Sequence, residues 1–168
     1  GEGIFLTLNE SRLREWESSQ EVSQRLQVLS DRRNETARYL PVPTPRFVLL
    51  HTLAHVLIRQ LSFECGYSIS SLRERIYART PGASNQSMAG ILIYTAAGDS
   101  EGTLGGLVRQ GEPDRLLPTI LKAIQNAEWC SSDPLCREST GQGFNALNLA
   151  ACHACSLLPE TSCIMSNR

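Results

Sequence analysis

The sequence predicts an α+β domain in which helices pack on a small sheet and a four-cysteine, zinc-stapled lobe lies at the C-terminus. Three observations lead to this prediction. Two short apolar runs, GIFLTL near the start and MAGILIYT in the middle, have the length of strands. A longer apolar segment between them has the length of a helix. Four cysteines are clustered in the last third of the chain.

In the first half of the chain, GIFLTL is the first predicted strand. Asn9 or Ser11 can then cap a helix over about residues 11–30. Prolines at positions 41, 43 and 45 impose an extended connector, because each excludes the helical region for the residue before it. The segment 46–64 is apolar around nearly its whole circumference, which is typical of a helix in the middle of a core. Gly66 is placed to end this helix.

In the second half, Ser71 and Glu74 have the spacing of a capping box, which predicts a short helix directly after them. MAGILIYT is almost continuously apolar and predicts a strand that is buried on both faces. A glycine-rich stretch that contains Asp99 and Glu101 follows this strand. The segment 114–129 predicts a further helix, with Pro118 in its first turn or at its true start.

Composition limits where the protein works and what it binds. The chain has 168 residues, of which 20% are charged, and its net charge is −1. This balance gives no bulk attraction to nucleic acid or to an acidic membrane, so such binding would need a local basic patch or a partner. No apolar run is long enough to cross a bilayer, and the N-terminus lacks a signal sequence. We therefore expect a cytoplasmic protein with reduced thiols, and a fragment of a longer polypeptide, since the chain has no initiator methionine.

The most specific pattern is C-x5-C, a 15-residue insert and then C-x2-C, formed by Cys130, Cys136, Cys152 and Cys155. A C-x2-C turn holds two sulfurs at a separation that can chelate one ion, and thiolate is the ligand that a structural zinc prefers. We predict one structural zinc ion. Because C-x5-C is longer than the usual zinc knuckle, Cys163 is an alternative ligand in place of Cys130. Buried apolar cysteines are also common, and Cys65 fits that interpretation best.

A polar stripe crosses the long apolar helix at His51, His55, Arg59 and Ser62. Histidines at i and i+4 occur on zinc-protease helices, but the general-base Glu of that motif is Thr52 here. The histidines are therefore predicted to be core or interface residues that hydrogen bonds satisfy. His51, His55 and Arg59 are also candidates for contact with a partner or with nucleic acid. An alternative hypothesis makes the stripe, together with Asp99 and Glu101, the active site of a hydrolytic or nuclease-like enzyme.

Four segments together resemble one known family: LLHTLAHVLIRQLSFECGYSISSLRERIY, MAGILIYTAAGDSEGTLGGLV, CSSDPLC and NLAACHACSLLPETSC. The family is the MrfA-like zinc-binding domain, which forms the C-terminal part of MrfA-type DNA repair helicases. The resemblance is closer still to the C-terminal part of DrmB components of the DISARM anti-phage system. It covers most of residues 45–165.

The resemblance implies a zinc site carried by the four cysteines Cys130, Cys136, Cys152 and Cys155, and a helicase partner that a DrmA-like subunit supplies in DISARM. The chain has no Walker A lysine motif, so we expect no ATP hydrolysis by it. We predict a non-catalytic, helicase-associated module of a defence complex that binds DNA, the helicase or both; a protein adaptor without DNA contact is a further alternative. Residues 1–40 are expected to hold a strand and a helix that could end a preceding domain. Residues 45–168 are expected to form the MrfA-like domain, with its zinc lobe at about 128–165.

Overall fold

The structure, a computed structural model, describes residues 1–80, 82, 86–96 and 106–168. Its antiparallel sheet consists of β1 (Gly3–Thr7), β2 (Leu72–Arg79) and β3 (Met88–Thr95), with β3 in the centre. The α-helices of the described part are α1 (Glu10–Glu17), α2 (Gln20–Thr36), α3 (Pro45–Cys65), α4 (Gly106–Gln110), α5 (Pro113–Ala127) and α6 (Leu135–Glu138). The predicted α+β class, with helices on a small sheet and a cysteine cluster at the C-terminal end, is confirmed.

Helix α3 packs against the inner face of the sheet and forms the centre of the core. Its side chains Leu50, Leu57 and Leu61 are fully buried, as are Ile91 and Ile93 of β3. Thr44 caps the helix by accepting a hydrogen bond from the backbone of Phe47, and Gly66 ends it in the left-handed conformation with φ of +74°. The predicted central helix and its glycine stop are confirmed.

A buried arginine fixes the first turn of α3. The Arg46 side chain is fully buried and donates a bidentate pair of hydrogen bonds to the Glu17 carboxylate at 2.8 and 2.7 Å. It also bonds Glu10 at 3.0 Å and the carbonyl oxygen of Arg79 at 2.8 Å. Because Glu10 and Glu17 belong to α1 and Arg79 ends β2, this one guanidinium joins two helices and the sheet.

The segment after Ser71 is a strand and not the predicted helix. Residues Leu72–Arg79 pair with β3 over their whole length, and Glu74 lies opposite Ile93 on the inner face of the sheet. The Ser71 hydroxyl donates to the carbonyl oxygen of Ser68 instead of capping a helix. The alternation of inward and exposed residues along LRERIYAR, which has the period of a strand, outweighs the local capping signal.

Two further expectations about helices are wrong in detail. The single helix predicted over 11–30 is two helices, because the Ser19 side chain accepts a hydrogen bond from the backbone of Val22 and caps a new helix there. Pro118 lies in the second turn of α5, beyond the start at Pro113. The proline and Asp114, whose carbonyl would have accepted its missing hydrogen bond, are both exposed, so water can satisfy that carbonyl.

After α5 the chain has little regular structure beyond α6 and a 3-10 turn at Phe144–Ala146. This C-terminal lobe (residues 130–168) is joined to the domain by Leu158, which is fully buried in the core. The Asn167 side chain bonds both the N–H and the carbonyl of Leu158, at 3.0 and 2.7 Å. Hydrogen bonds with Arg32 of α2, Arg59 of α3 and Glu74 of β2 also hold the lobe against the domain. Across the described ranges, the helices are all too short or too polar to span a bilayer.

Candidate metal centre

The first group of metal-ligating side chains is formed by four cysteines from three parts of the lobe. Cys130 follows α5, Cys136 lies on α6, and Cys152 and Cys155 lie in one turn. Their sulfurs all lie within 4.8 Å of one another. The Sγ–Sγ distance is 3.5 Å between Cys130 and Cys152, 3.8 Å between Cys136 and Cys155, and 3.9 Å between Cys152 and Cys155.

These distances fit one tetrahedral ion. Zinc–sulfur bonds of about 2.3 Å place the sulfurs of a tetrahedral shell about 3.8 Å apart. A disulfide would bring two sulfurs to about 2.05 Å, and all four of these cysteines are free thiols. The cluster is therefore suitable for holding a zinc ion.

The thiols of this group are crowded, and their pKa values separate. Burial alone would raise the pKa of Cys152, but the backbone N–H groups of Ala154 and Cys155 and the neighbouring thiols outweigh it and lower the pKa to about 6. Burial and the adjacent sulfurs raise the pKa of Cys136. A bound dication would lower the pKa of all four thiols, because it favours the thiolate form of every ligand.

Arg59 holds the C-x2-C turn from outside. It donates hydrogen bonds to the carbonyl oxygens of His153 at 3.0 Å, of Ala154 at 2.8 Å and of Leu157 at 3.4 Å. The first two carbonyls belong to the residues between the two cysteines of the turn. The guanidinium of α3 therefore fixes the loop that positions Cys152 and Cys155.

The structure brings together a second group, which consists of His51, His55, Glu74 and Cys163. One donor atom from each of these residues lies within 4.8 Å of all the others. His51 Nε2 lies 3.0 Å from Cys163 Sγ and 3.1 Å from Glu74 Oε1, and His55 Nε2 lies 3.5 Å from Glu74 Oε1. Cys163, considered above as an alternative to Cys130, is thus placed with the histidines and not with the four-sulfur group.

Both acidic members of this second group are stabilised as anions. Burial would raise the pKa of Glu74, but the neighbouring His51 and His55 lower it to about 2. Burial likewise opposes ionisation of Cys163, and the same two histidines lower its pKa to about 7. Burial would lower the pKa values of the two histidines, but Cys163 and Glu74 raise them, that of His55 to about 9. The four groups thus stabilise one another's charges in a site where Glu74 is 4% exposed and Cys163 is 6% exposed.

The remaining sequence candidates lie elsewhere. Cys65 belongs to neither group, and its thiol donates to the carbonyl oxygen of Gly106 at 3.6 Å. The side chains of His51, His55 and Arg59 bond atoms of the C-terminal lobe, and their contact with a partner or with nucleic acid stays a prediction. Asp99 and Glu101, which the enzyme hypothesis needs, lie outside the described residues.

Glu74 is the site residue that sequence analysis missed. The capping-box interpretation placed Glu74 at the start of a helix, whereas the strand turns it toward the core beside two histidines. Its signal was present, because Leu72, Glu74, Ile76 and Ala78 alternate with Arg73, Arg75, Tyr77 and Arg79. Strand periodicity places the carboxylate on the apolar face of β2.

Comparison with known proteins agrees with this chemistry. The model of a protein family described as "MrfA Zn-binding domain" matches residues 53–156, an interval that contains the four-sulfur group and ends before Cys163. The chain is 40% identical over 174 aligned residues to "DISARM protein DrmB" of Bacillus paralicheniformis (strain ATCC 9945a / NCIMB 11709 / CD-2). That alignment covers 100% of the chain and 30% of the relative, so the chain spans less than a third of the relative's length. The family resemblance inferred from sequence and the expected zinc cofactor are confirmed: this chain belongs to the MrfA Zn-binding domain family.

Proposed function

We propose that the chain is a non-catalytic, zinc-stapled module of a DISARM-like anti-phage complex, in which it binds DNA, a DrmA-like helicase subunit or both. The family match and the similarity to a DISARM protein support the setting. The observation that carries the structural role is the set of four sulfurs at tetrahedral spacing in a lobe with little regular structure.

In this proposal Cys130, Cys136, Cys152 and Cys155 are the ligands of one Zn²⁺ ion. Bound zinc would supply a cross-link and no reaction, because four thiolates fill its shell and leave no position for a water molecule. The lobe has little regular structure of its own, so much of the free energy of metal binding would be free energy of folding. Removing one of these thiols should unfold the part of the lobe that carries the four sulfurs, residues 130–155.

The outer face of the sheet supports the DNA contact. Three arginines of β2, Arg73, Arg75 and Arg79, are exposed there beside Tyr77, whose ring meets that of Phe5 edge to face with centroids 5.7 Å apart. None of the outward-facing residues of the described strands is acidic. Arginines that neutralise phosphates and aromatic rings that stack on bases are the combination that binds single-stranded nucleic acid. The short sheet thereby provides the local basic patch that the overall charge does not.

The test is salt-dependent binding of a fluorescent single-stranded oligonucleotide by the 168-residue chain. The plot of log K against log salt concentration has a negative slope. For a single strand, its magnitude should decrease by about 0.7 for each phosphate that a variant no longer neutralises. We expect Arg75→Ser to weaken binding and to reduce this slope. The matched control Arg12→Ser removes an exposed arginine from α1 and should leave the slope unchanged. Equal slopes for the two variants would contradict the sheet-face assignment.

Contact with the helicase subunit is supported by an apolar stripe on α5. Helical spacing puts Leu117, Leu121 and Ile124 on one side of α5. These side chains are 60%, 52% and 49% exposed, and an exposed apolar stripe is typical of a surface that contacts another protein. Leu121→Glu should reduce capture of the purified helicase subunit, whereas Val28→Glu on α2 should not. If neither protein nor DNA is retained by the wild-type chain, the proposed binding role is wrong.

A further inference from the structure

We propose that His51, His55, Glu74 and Cys163 form a second metal site, separate from the four-sulfur group, that binds a divalent transition-metal ion, with Zn²⁺ the ion that the donor set favours. Two imidazoles, a thiolate and a carboxylate are all ligands that zinc takes in proteins. The site is independent of the proposed defence role, since it depends only on these four side chains.

The spacing of the donor atoms supports the site. Bonds of about 2.0–2.3 Å from zinc to nitrogen, oxygen and sulfur place tetrahedral ligand atoms about 3.3–3.8 Å apart. The distances from Glu74 Oε1 to His51 Nε2 and His55 Nε2 are 3.1 and 3.5 Å, and that from His51 Nε2 to Cys163 Sγ is 3.0 Å. Small adjustments of the side chains would bring these atoms to the corners of one tetrahedron.

Two polar atoms in the group are buried without a hydrogen-bond partner. Within the part of the chain that the structure describes, these atoms are His55 Nε2 and Glu74 Oε2. Leaving such atoms unsatisfied is unfavourable, because each has given up its hydrogen bonds to water. His55 Nδ1 lies 2.9 Å from the carbonyl oxygen of Ser156 and donates its proton to it, so a metal ion that displaces the proton from Nε2 would find the lone pair aimed at the group. A bound cation in place of that proton would be attracted to the Glu74 carboxylate and the Cys163 sulfur as well as to His55.

Hydrogen bonds from the surrounding chain hold the ligand side chains in place, as is usual in a metal site. Ligating histidines commonly donate their second N–H to a carbonyl or carboxylate, as His55 does to Ser156. Glu74 Oε1 accepts the backbone N–H of Ile164 at 3.1 Å. The sulfur of Cys163 accepts backbone N–H groups from Met165 at 3.4 Å and from Asn167 at 3.1 Å. These bonds orient the donors and do not need a metal to form.

An ion here would join three distant segments. His51 and His55 lie on α3, Glu74 lies on β2, and Cys163 lies near the end of the chain. A cavity of about 170 Å³ is lined by both histidines but not by Glu74 or Cys163, so the histidine side of the site faces this cavity. With four protein ligands the shell is closed, so the ion would fasten the C-terminal tail to the core instead of activating water.

The experiment is the metal content of the intact 168-residue chain. Purified chain is reconstituted with zinc, passed through a desalting column, and assayed for zinc per chain by mass spectrometry, with circular dichroism to check folding. We expect two ions in the wild type and one in each of Cys163→Ser, Glu74→Gln and His51→Ala. The matched controls Cys65→Ser and His153→Gln change residues outside both groups and should retain two ions.

The outcomes separate this site from the four-sulfur site. Cys155→Ser should also lose one ion, from the four-sulfur group. If Cys155→Ser alone keeps both ions, the result counts against the proposed zinc lobe and not against the second site. If folded Cys163→Ser and His51→Ala chains hold as much zinc as the wild type, the second site does not exist. Should these variants misfold, a chelator competition on the wild-type chain decides. Two affinity classes support the proposal, and a single class of one ion overturns it.

Discussion

Removing the guanidinium of Arg59 should weaken zinc binding although Arg59 touches no thiol. Its contacts are three carbonyl oxygens of the lobe, two of them between Cys152 and Cys155. Hydrogen bonds from a charged donor contribute about 1.5–3 kcal/mol, and partial exposure lets water replace some of this. We expect Arg59→Met, which keeps the apolar stem, to lose about 2 kcal/mol of turn preorganisation. At 1.36 kcal/mol for each tenfold change, zinc affinity should fall about 30-fold, within the 10–100-fold range typical of residues that support metal ligands.

The assay is competition for zinc between the chain and a chromophoric chelator at neutral pH. Arg12→Met is the matched control, since Arg12 is an exposed arginine on α1 and bonds no part of the lobe in the described structure. Arg59→Met should release zinc at lower chelator concentration, with the folded core retained. Equal zinc affinity in Arg59→Met and Arg12→Met would refute the idea that the carbonyl contacts position the turn.

Three further results are expected from the core. Arg46→Met should lower the free energy of unfolding in urea by about 3 kcal/mol, because it leaves Glu10 and Glu17 without their buried partner; a decrease below about 1 kcal/mol would contradict this. The hydrogen bond from Arg46 lowers the pKa of Glu10 below 4.5, so the stability advantage of wild type over Glu10→Gln should be complete above that pH and vanish as pH falls through the lowered pKa. An advantage that persists unchanged in acid would refute it. Leu158→Ala should lower the free energy of unfolding by about 2–5 kcal/mol. Ile164→Ala, at a side chain that is 49% exposed, should lower it far less. Equal decreases would contradict the role of Leu158 as the anchor of the lobe.

Much of the fold could be predicted because its signals are local. The apolar runs of β1, β3 and α3 have the length of their elements, and Gly66 ends α3 where a left-handed residue is required. The expectation that β3 is buried on both faces is wrong, because Met88, Leu92 and Tyr94 on its outer face are only partly buried. The strand β2 was missed because Ser71 and Glu74 satisfy a short-range capping rule that the pairing with β3 overrides. Pairing between distant strands is not a property of either segment alone.

The two candidate sites also differ in how far the sequence predicts them. The cysteine spacing indicated a cluster, since C-x2-C chelation is built into one turn. The second group could not be read from spacing, because its four members come from α3, β2 and the tail and meet only in the folded chain. Arg46 was similarly hidden: an arginine at the start of an apolar helix suggests a solvent-facing end, yet it is fully buried by contacts with α1 and β2.

The assignment of a zinc-stapled lobe is tested most directly by mapping which cysteines the metal protects from alkylation. The zinc-loaded chain is treated with iodoacetamide before and after addition of a strong chelator, and modified positions are identified by mass spectrometry. We predict that Cys130 and Cys155, which are only half-buried, resist alkylation until zinc is removed, whereas Cys65 reacts alike in both states. Alkylation of Cys130 and Cys155 at the same rate with and without zinc would contradict the account.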